Sequence, residues 1–309
     1  MTHPQAGALT LGPLLFNWSP EEFKEFYFRM ADEAPVDVVY LGEVVCSKRT
    51  PFFEPVIVDV IERLEHAGKS VVHSTLGLIM SAREMQAVRD LTGVMEDQLI
   101  EANDLSAASL LANKPHVIGP MVNVYNEGTL AYMVARGAVR VCLPGELPGD
   151  AIAILAGSVG KKSEIEVQVF GRLPLAISAR CYHARARGLP KDNCLYACGD
   201  DADGMALETL DGDNFLTVNG TQTMSHSYCN LVAEMAEMRD NGVTHFRLSP
   251  HSTDMVAVAE IYRDVLDGKL EAEEADAQLT ELVPDAPFSN GFYHGVEGSA
   301  FVGGREAAE

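Results

Sequence analysis

The sequence predicts an α/β fold: a TIM-like (β/α) barrel with a long cysteine- and arginine-bearing loop insertion and a β-hairpin. Three observations predict it. Short, β-branched apolar runs alternate with helical segments from about residue 9 to residue 170. Seven or eight such units follow one another without a linker, which favours a closed barrel over an open sheet. No G-x-G-x-x-G follows the first strand, which argues against a dinucleotide-binding fold.

The elements follow in order. LTLGPLLF (9–16) predicts a buried strand. Ser19-Pro20-Glu21-Glu22 then supplies an N-cap, a proline at the first helical position and a capping glutamate, opening a helix to about residue 34. VDVVYLG (36–42) is the second strand, followed by a loop over 43–50, a helix over 54–66 and a stop at Gly68. Strands are expected at 70–75, 98–104, 116–120, 139–144 and 164–170, with helices between them. The rhythm breaks at Gly171, and residues 172–200 show little apolar periodicity. A loop of that length inside a compact domain is usually functional. FLTVNG and TQTMSHS then predict a hairpin about Asn219-Gly220. A helix over 228–240, a strand over 244–249 and a helix over 253–266 resume the pattern. Residues 1–309 are expected to form one barrel domain, with a core over about 9–268. An acidic and Gly/Ala-rich C-terminal tail, loosely held, is expected over 269–309.

Charge narrows the partners. There are 45 acidic and 23 basic residues, a net charge of −22. Nucleic acid is not expected, because binding it requires neutralising phosphates with Lys and Arg. No run of 18 apolar residues predicts a transmembrane segment. The N-terminus lacks a basic stretch before its apolar part, so no signal peptide is expected and the default location is cytoplasmic.

The chain has six cysteines. Cys181, Cys194 and Cys198 lie in the long loop, and Cys46 lies in the loop after the second strand. In a barrel the loops after the strands gather at one face, so the four thiols can meet there. Their spacing leaves three outcomes open: a [4Fe–4S] cluster, a zinc site or unligated thiols. A wide cluster accepts irregular spacing, whereas zinc ribbons usually present two C-x2-C pairs and this chain has none. Arg172, Arg180, Arg185, Arg187 and Lys191 surround the loop cysteines, and Lys48 and Arg49 follow Cys46. Such charges lower thiolate pKa values and raise a cluster's reduction potential. Cys142, in an apolar strand, and Cys229, at an expected helix start, are expected to be structural. His183 and His226 lie near the loop, with packing or surface roles expected.

Barrel geometry alone nominates pocket residues at the carboxyl ends of strands: Glu43, Glu101, Asp104, Asn123, Asn219 and Gln222. Arg180, beside Cys181, is the expected anion or cluster-tuning contact. The catalytic candidates are thus Glu43, Glu101, Arg180 and Asn219.

GEVVCSKR (42–49), SARC (178–181), KDNC (191–194) with Cys198, NGTQTMS (219–225) and RLSP (247–250) with Thr253-Asp254 appear in this order. Together they resemble the UbiV family, bacterial proteins of oxygen-independent ubiquinone biosynthesis within the collagenase-like peptidase superfamily. The resemblance runs from about residue 9 to residue 291. It implies a TIM-like barrel and one [4Fe–4S] cluster on Cys46, Cys181, Cys194 and Cys198. It further implies a heterodimer with a homologous UbiU-like subunit that hydroxylates the ring of a ubiquinone-precursor lipid without O2. Four cysteine ligands would leave every iron saturated, so the expected role is electron transfer rather than substrate activation. Peptidase members of the superfamily resemble a pattern F-V-H-G-A-L-C-x-x-Y-S-G-R-C. In QVFGRLPLAISARC, Phe170, Pro174 and Ile177 stand where that pattern has His, Cys and Tyr, so peptidase activity is not expected.

Overall fold

A computed structural model describes residues 7–94, 98–284 and 287–303. The chain begins with β1 (Ala8–Leu11), α1 (Pro20–Asp32), β2 (Val38–Leu41), α2 (Thr50–His66), β3 (Ser70–Ser74) and α3 (Ala82–Val94). It continues with β4 (Ile100–Ala102), α4 (Leu105–Leu110), β5 (His116–Ile118), α5 (Glu127–Ala135), β6 (Ala138–Cys142) and α6 (Gly149–Val159). Next come β7 (Glu164–Ile177), α7 (Tyr182–Ala186), β8 (Met205–Glu208), β9 (Asn214–Asn219) and β10 (Gln222–Asn230). It closes with α8 (Met235–Asp240), β11 (His245–Leu248), α9 (Met255–Leu266), α10 (Ala272–Leu282) and β12 (Phe288–Ser289).

The parallel strands β1 to β7 pair in sequence order, and β11 pairs with both β7 and β1. Eight strands therefore close on themselves: this is a TIM barrel, as the alternation predicts. The strands are buried on both faces, because helices cover the outside and side chains fill the inside; the filling includes the buried polar residues Thr10, Glu101, Glu166 and Arg247. β1, β2, β4 and β11 are buried at every position. The predicted capping box is formed: Ser19 Oγ accepts from the Glu22 amide, and Glu22 accepts from the Ser19 amide.

The structure departs from the sequence expectations where partners outside the local sequence decide. β1 ends at Leu11, because Gly12 and Pro13 begin the loop at its carboxyl end. β7 does not end at Phe170 but runs to Ile177. Its first half pairs with β6 and β11, and its second half leaves the barrel to pair antiparallel with β10. Gly171 sits at the switch with φ +97, and a Cβ there would lie 2.7 Å from His251 Nε2. Only glycine fits this bend. The expected helix start at 228 is strand, so Cys229 lies in β10 and the helix begins at Met235. The hairpin β9–β10 turns through Gly220 as predicted. The acidic stretch after 271 is not loose: α10 packs on α9 through the fully buried Ala275 and Leu279. Residues 288–303 also pack, with Asn290 bonded to Val302 through both its side-chain amide and its carbonyl oxygen. The expectations for residues 1–6, 285–286 and 304–309 lie outside the described residues. No described helix is long and apolar enough to cross a membrane.

Candidate functional site

All four predicted cysteines line one recess at the carboxyl end of the barrel. Its walls are Cys46, Cys181, Cys194 and Cys198 with Lys48, Arg49, Ala184, Tyr196, Ala197 and Gly220. It is a small recess, partly open to solvent. Among the described residues, no three His, Cys, Asp or Glu side chains converge to share a single metal ion.

Each thiol is placed by its own local structure. Glu43 is half-buried, and its Oε1 accepts from the amides of Val45 (2.7 Å) and Cys46 (2.8 Å), folding the loop after β2 back on itself. Burial raises the Glu43 pKa, against the charge of Arg49 and the two amides. Cys181 caps α7, its Sγ accepting from the Ala184 amide at 3.4 Å. Cys194 and Cys198 flank Leu195 and Tyr196, two successive non-glycine residues at φ +50 and +54. That left-handed geometry costs about 1–2 kcal/mol per residue, so it persists only because surrounding contacts impose it. Tyr196 packs edge-on against Phe52 of α2, 4.6 Å between centroids. Lys48 Nζ donates to the Lys191 carbonyl (2.6 Å), joining the Cys46 loop to the Cys194 loop.

Arg49, which in sequence is one of two basic residues following Cys46, lies in the wall of the recess. It is only 2% exposed. Nη1 donates to the Leu15 carbonyl (2.7 Å) and Nη2 to Asn219 Oδ1 (2.8 Å), while Nε has no partner. No carboxylate among the described residues forms an ion pair with it. The nearby groups that favour its charge are Glu43, Cys198 and Cys46. Burial pushes the Cys46 and Cys198 thiols up, and the charge of Arg49 opposes that rise at both. Buried cations are normally paired, so this guanidinium faces a recess suited to negative charge. Gly220 makes the approach possible: at φ +64, a Cβ there would lie 2.6 Å from Arg49 Nη2.

Asn219 holds Arg49 and donates to the Leu15 carbonyl (2.6 Å). Arg180 is exposed and does not line the recess. Arg172 lies 4.8 Å over the Tyr228 ring, and Arg187 pairs with Asp200 and Asp201. Asp104 caps α4 through the Ser106 amide, Asn123 takes a left-handed turn after β5, and Gln222 is buried in β10. His183 is buried with Nε2 2.8 Å from Asp201, and His226 is half-buried. Cys142 and Cys229 are buried away from the recess, and burial raises both thiol pKa values.

Glu101 belongs to a second recess, the barrel mouth. It is lined by Gly12, Pro13, Leu15, Val44, Glu101, Asn103, Pro120, Met121, Gln168, Pro174, Arg247 and Ser249. Leu15 is shared: it lines the mouth, and its carbonyl accepts from Arg49 and Asn219 behind the cysteine recess. Beneath the mouth, Arg247 Nη2 donates to Glu101 (2.7 Å) and Glu166 (2.8 Å). Tyr40 donates to Glu166 (2.7 Å), and Arg140 donates to Tyr40 (3.1 Å) and Glu164 (2.9 Å). Burial pushes the Glu166 carboxyl up, but Arg247 and Arg140 outweigh it and hold the pKa at about 2.

A TIM barrel with a four-cysteine recess on its rim is the class that fold and site define. The chain belongs to peptidase family U32, whose family model matches residues 18–301. Similar solved structures include dihydrodipicolinate synthase from Aquifex aeolicus, 11% identical with a TM-score of 0.48, covering 90% of this chain and 81% of that one. A solved U32 peptidase is 12% identical with a TM-score of 0.44, covering 82% and 97%. Dihydropteroate synthase from Thermus thermophilus is 15% identical with a TM-score of 0.43, covering 84% and 94%.

Proposed function

We propose that this chain is an iron–sulfur redox subunit. It would hold one [4Fe–4S] cluster on Cys46, Cys181, Cys194 and Cys198 and serve an oxygen-independent hydroxylase acting on the ring of ubiquinone precursors. The observation that carries the cluster is Arg49, a buried guanidinium without a carboxylate ion pair, set in the wall of a recess lined by four thiols. A four-cysteine cluster carries net negative charge, which this cation would balance. Four thiols lining one recess match the ligand set of such a cluster. Membership of the UbiV branch, and a UbiU-like partner, rest on the sequence motifs that carry the resemblance.

When bound, such a cluster supplies one-electron transfer. The protein's own part is to hold charge and position the thiols. Glu43 fixes the Cys46 loop through two amides, and Asn219 and Leu15 hold Arg49. Lys48 and Arg49 favour the more negative redox state and so raise the potential. Leu15 links the recess to the barrel mouth, where a substrate would bind.

A peptidase reading finds little support in these residues. Among the described residues, no Ser or Cys side chain is hydrogen-bonded to a histidine ring. The hydroxyl–imidazole contact of Thr244 with His245 (2.9 Å) lies at the amino end of β11, on the opposite face from both recesses. Phe170 is buried in an aromatic stack with Tyr228.

The reading is tested by anaerobic purification and absorption spectroscopy. A brown protein with a broad visible shoulder that Cys181→Ser removes is expected. A colourless protein after anaerobic iron and sulfide reconstitution would contradict it.

A further inference from the structure

We propose that the outer rim of the cysteine recess docks a small acidic electron-carrier protein. The proposal rests on the reading of the recess as a redox site. It is carried by unneutralised positive charge, by exposed apolar side chains, and by the continuity of both with the four thiols.

The chain has a net charge of −22, yet residues 178–198 hold four bases, Arg180, Arg185, Arg187 and Lys191, against one acid, Asp192. Arg187 is neutralised by Asp200 and Asp201. The other three have no carboxylate partner among the described residues. Arg180 and Arg185 are exposed, and Lys191 Nζ donates to the Ala179 carbonyl (2.8 Å) and to Met80 Sδ (3.6 Å). Lys48 adds a base whose partner, Asp192, lies 3.6 Å away and is fully exposed. Most of this acidic surface repels an acidic protein and this patch attracts one, so the charge pattern selects both the partner and its orientation. A bilayer is a flat sheet far wider than the patch, and the charge on the rest of the chain opposes it.

Apolar side chains stand among these charges. Tyr182 follows Cys181 and is 45% exposed, and Leu195 and Tyr196 follow Cys194 and are 69% and 41% exposed. Leu195 has φ +50, a left-handed geometry better suited to glycine or asparagine. A leucine there gains little burial within this chain to offset the strain, whereas a partner covering it would supply that burial. An apolar centre with charge around it is the anatomy of a protein interface. Tyr196 walls the recess, and Tyr182 and Leu195 adjoin two of its thiols. A reduced carrier seated here gives up one electron and the four-cysteine group takes up one; no bond, proton or atom moves.

The test is binding of the full, anaerobically iron-loaded chain to two acidic probes, a [2Fe–2S] ferredoxin and a flavodoxin, by surface plasmon resonance. Saturable binding to at least one is expected, weakened about tenfold between about 50 and 300 mM salt. Arg180→Gln with Arg185→Gln should weaken it about tenfold. Lys161→Gln with Lys162→Gln, the same charge change just before β7 at the amino end of the barrel, should alter it by less than about twofold. Leu195→Asn, which suits the left-handed turn, should weaken binding about tenfold while iron content and the circular dichroism spectrum stay unchanged. Iron content is measured on every sample, so a chain that takes up no iron refutes the cluster reading, and a loaded chain that binds neither probe refutes this one. Equal loss in the two double variants, or unchanged binding by Leu195→Asn, would also overturn the proposal. So would loss in Leu195→Asn of self-association or of the complex with a UbiU-like subunit, or binding to phosphatidylglycerol vesicles that Arg180→Gln with Arg185→Gln abolishes, since each assigns the patch to another occupant.

Discussion

Replacing Arg49 with Met should affect the metal-free and the iron-loaded protein in different ways. In the metal-free chain, Arg49 makes two hydrogen bonds, to the Leu15 carbonyl and Asn219. Hydrogen bonds from a charged donor contribute about 1.5–3 kcal/mol each, so Met forfeits about 3–6 kcal/mol. Against this, burying the ion costs several kcal/mol even after relaxation, and no carboxylate bond offsets that cost. The two effects nearly cancel. The net change should stay within about 2 kcal/mol, a shift of only a few degrees in Tm for a chain of this size. In the loaded protein the balance differs. A unit charge about 4 Å from a thiolate, at an effective dielectric of about 20, contributes about 4 kcal/mol. Losing it should weaken retention of the cluster by orders of magnitude. Calorimetry of metal-free protein and the rate of iron loss to a ferrous chelator measure the two arms. If Arg49→Met unfolds the metal-free protein but leaves iron release unchanged, Arg49 is a structural cation and the reasoning fails.

Three further outcomes are expected. Burial, and then the Arg140 charge, push His245 down to about 4 from its ordinary 6.5. Below pH 6.5 the unfolded chain takes up a proton that the folded chain refuses, so stability should fall by about 3 kcal/mol between pH 6.5 and 4. Glu166, held at about 2 against an ordinary 4.5, contributes stability that is present above pH 4.5 and lost as pH falls towards 2. Urea melts of metal-free His245→Asn should show a flatter slope between pH 6.5 and 4.5, and an unchanged slope would disprove the assignment. Gly220→Ala should drive a methyl into Arg49 and cost iron retention. Gly268→Ala, at a similar positive φ but in open space, should cost stability without costing iron; equal iron loss in both would refute a specific Gly220–Arg49 contact. Co-expression with a UbiU-like subunit should give a 1:1 complex on gel filtration that alone supports anaerobic ring hydroxylation. Full turnover by this chain by itself would refute the two-subunit proposal.

The barrel was legible because each parallel strand is a short apolar run bounded by helix signals such as Ser19-Pro20. The convergence of Cys46 with the loop cysteines was legible for a topological reason: loops after barrel strands share one face. The second half of β7 was not. Residues 171–177 lack apolar alternation because their partner is β10, some fifty residues away, and a strand fixed by distant pairing leaves little local pattern. The same pairing turned the start of an expected helix into strand at Cys229. α10 was hidden by its acidity: its seam is narrow, and Ala275 and Leu279 are its fully buried residues. Arg49 was the largest miss. Next to Lys48 it resembled a solvated basic pair, and only the hairpin turn at Gly220 and the Leu15 carbonyl show that one of the two is buried. Arg180, adjacent to Cys181 in sequence, lies in an exposed bend after β7 and does not line the recess.

The central claim is that the four rim cysteines hold one iron–sulfur cluster. The most direct measurement is iron and acid-labile sulfide per chain in anaerobically prepared protein. The same determination on Cys46→Ser, Cys181→Ser, Cys194→Ser and Cys198→Ser, with Cys142→Ala and Cys229→Ala as controls, completes it. About four irons and about four sulfides per chain are expected, lost sharply in each of the first four variants and kept in both controls. Stoichiometric zinc without sulfide, or iron that survives Cys46→Ser but not Cys142→Ala, would contradict it.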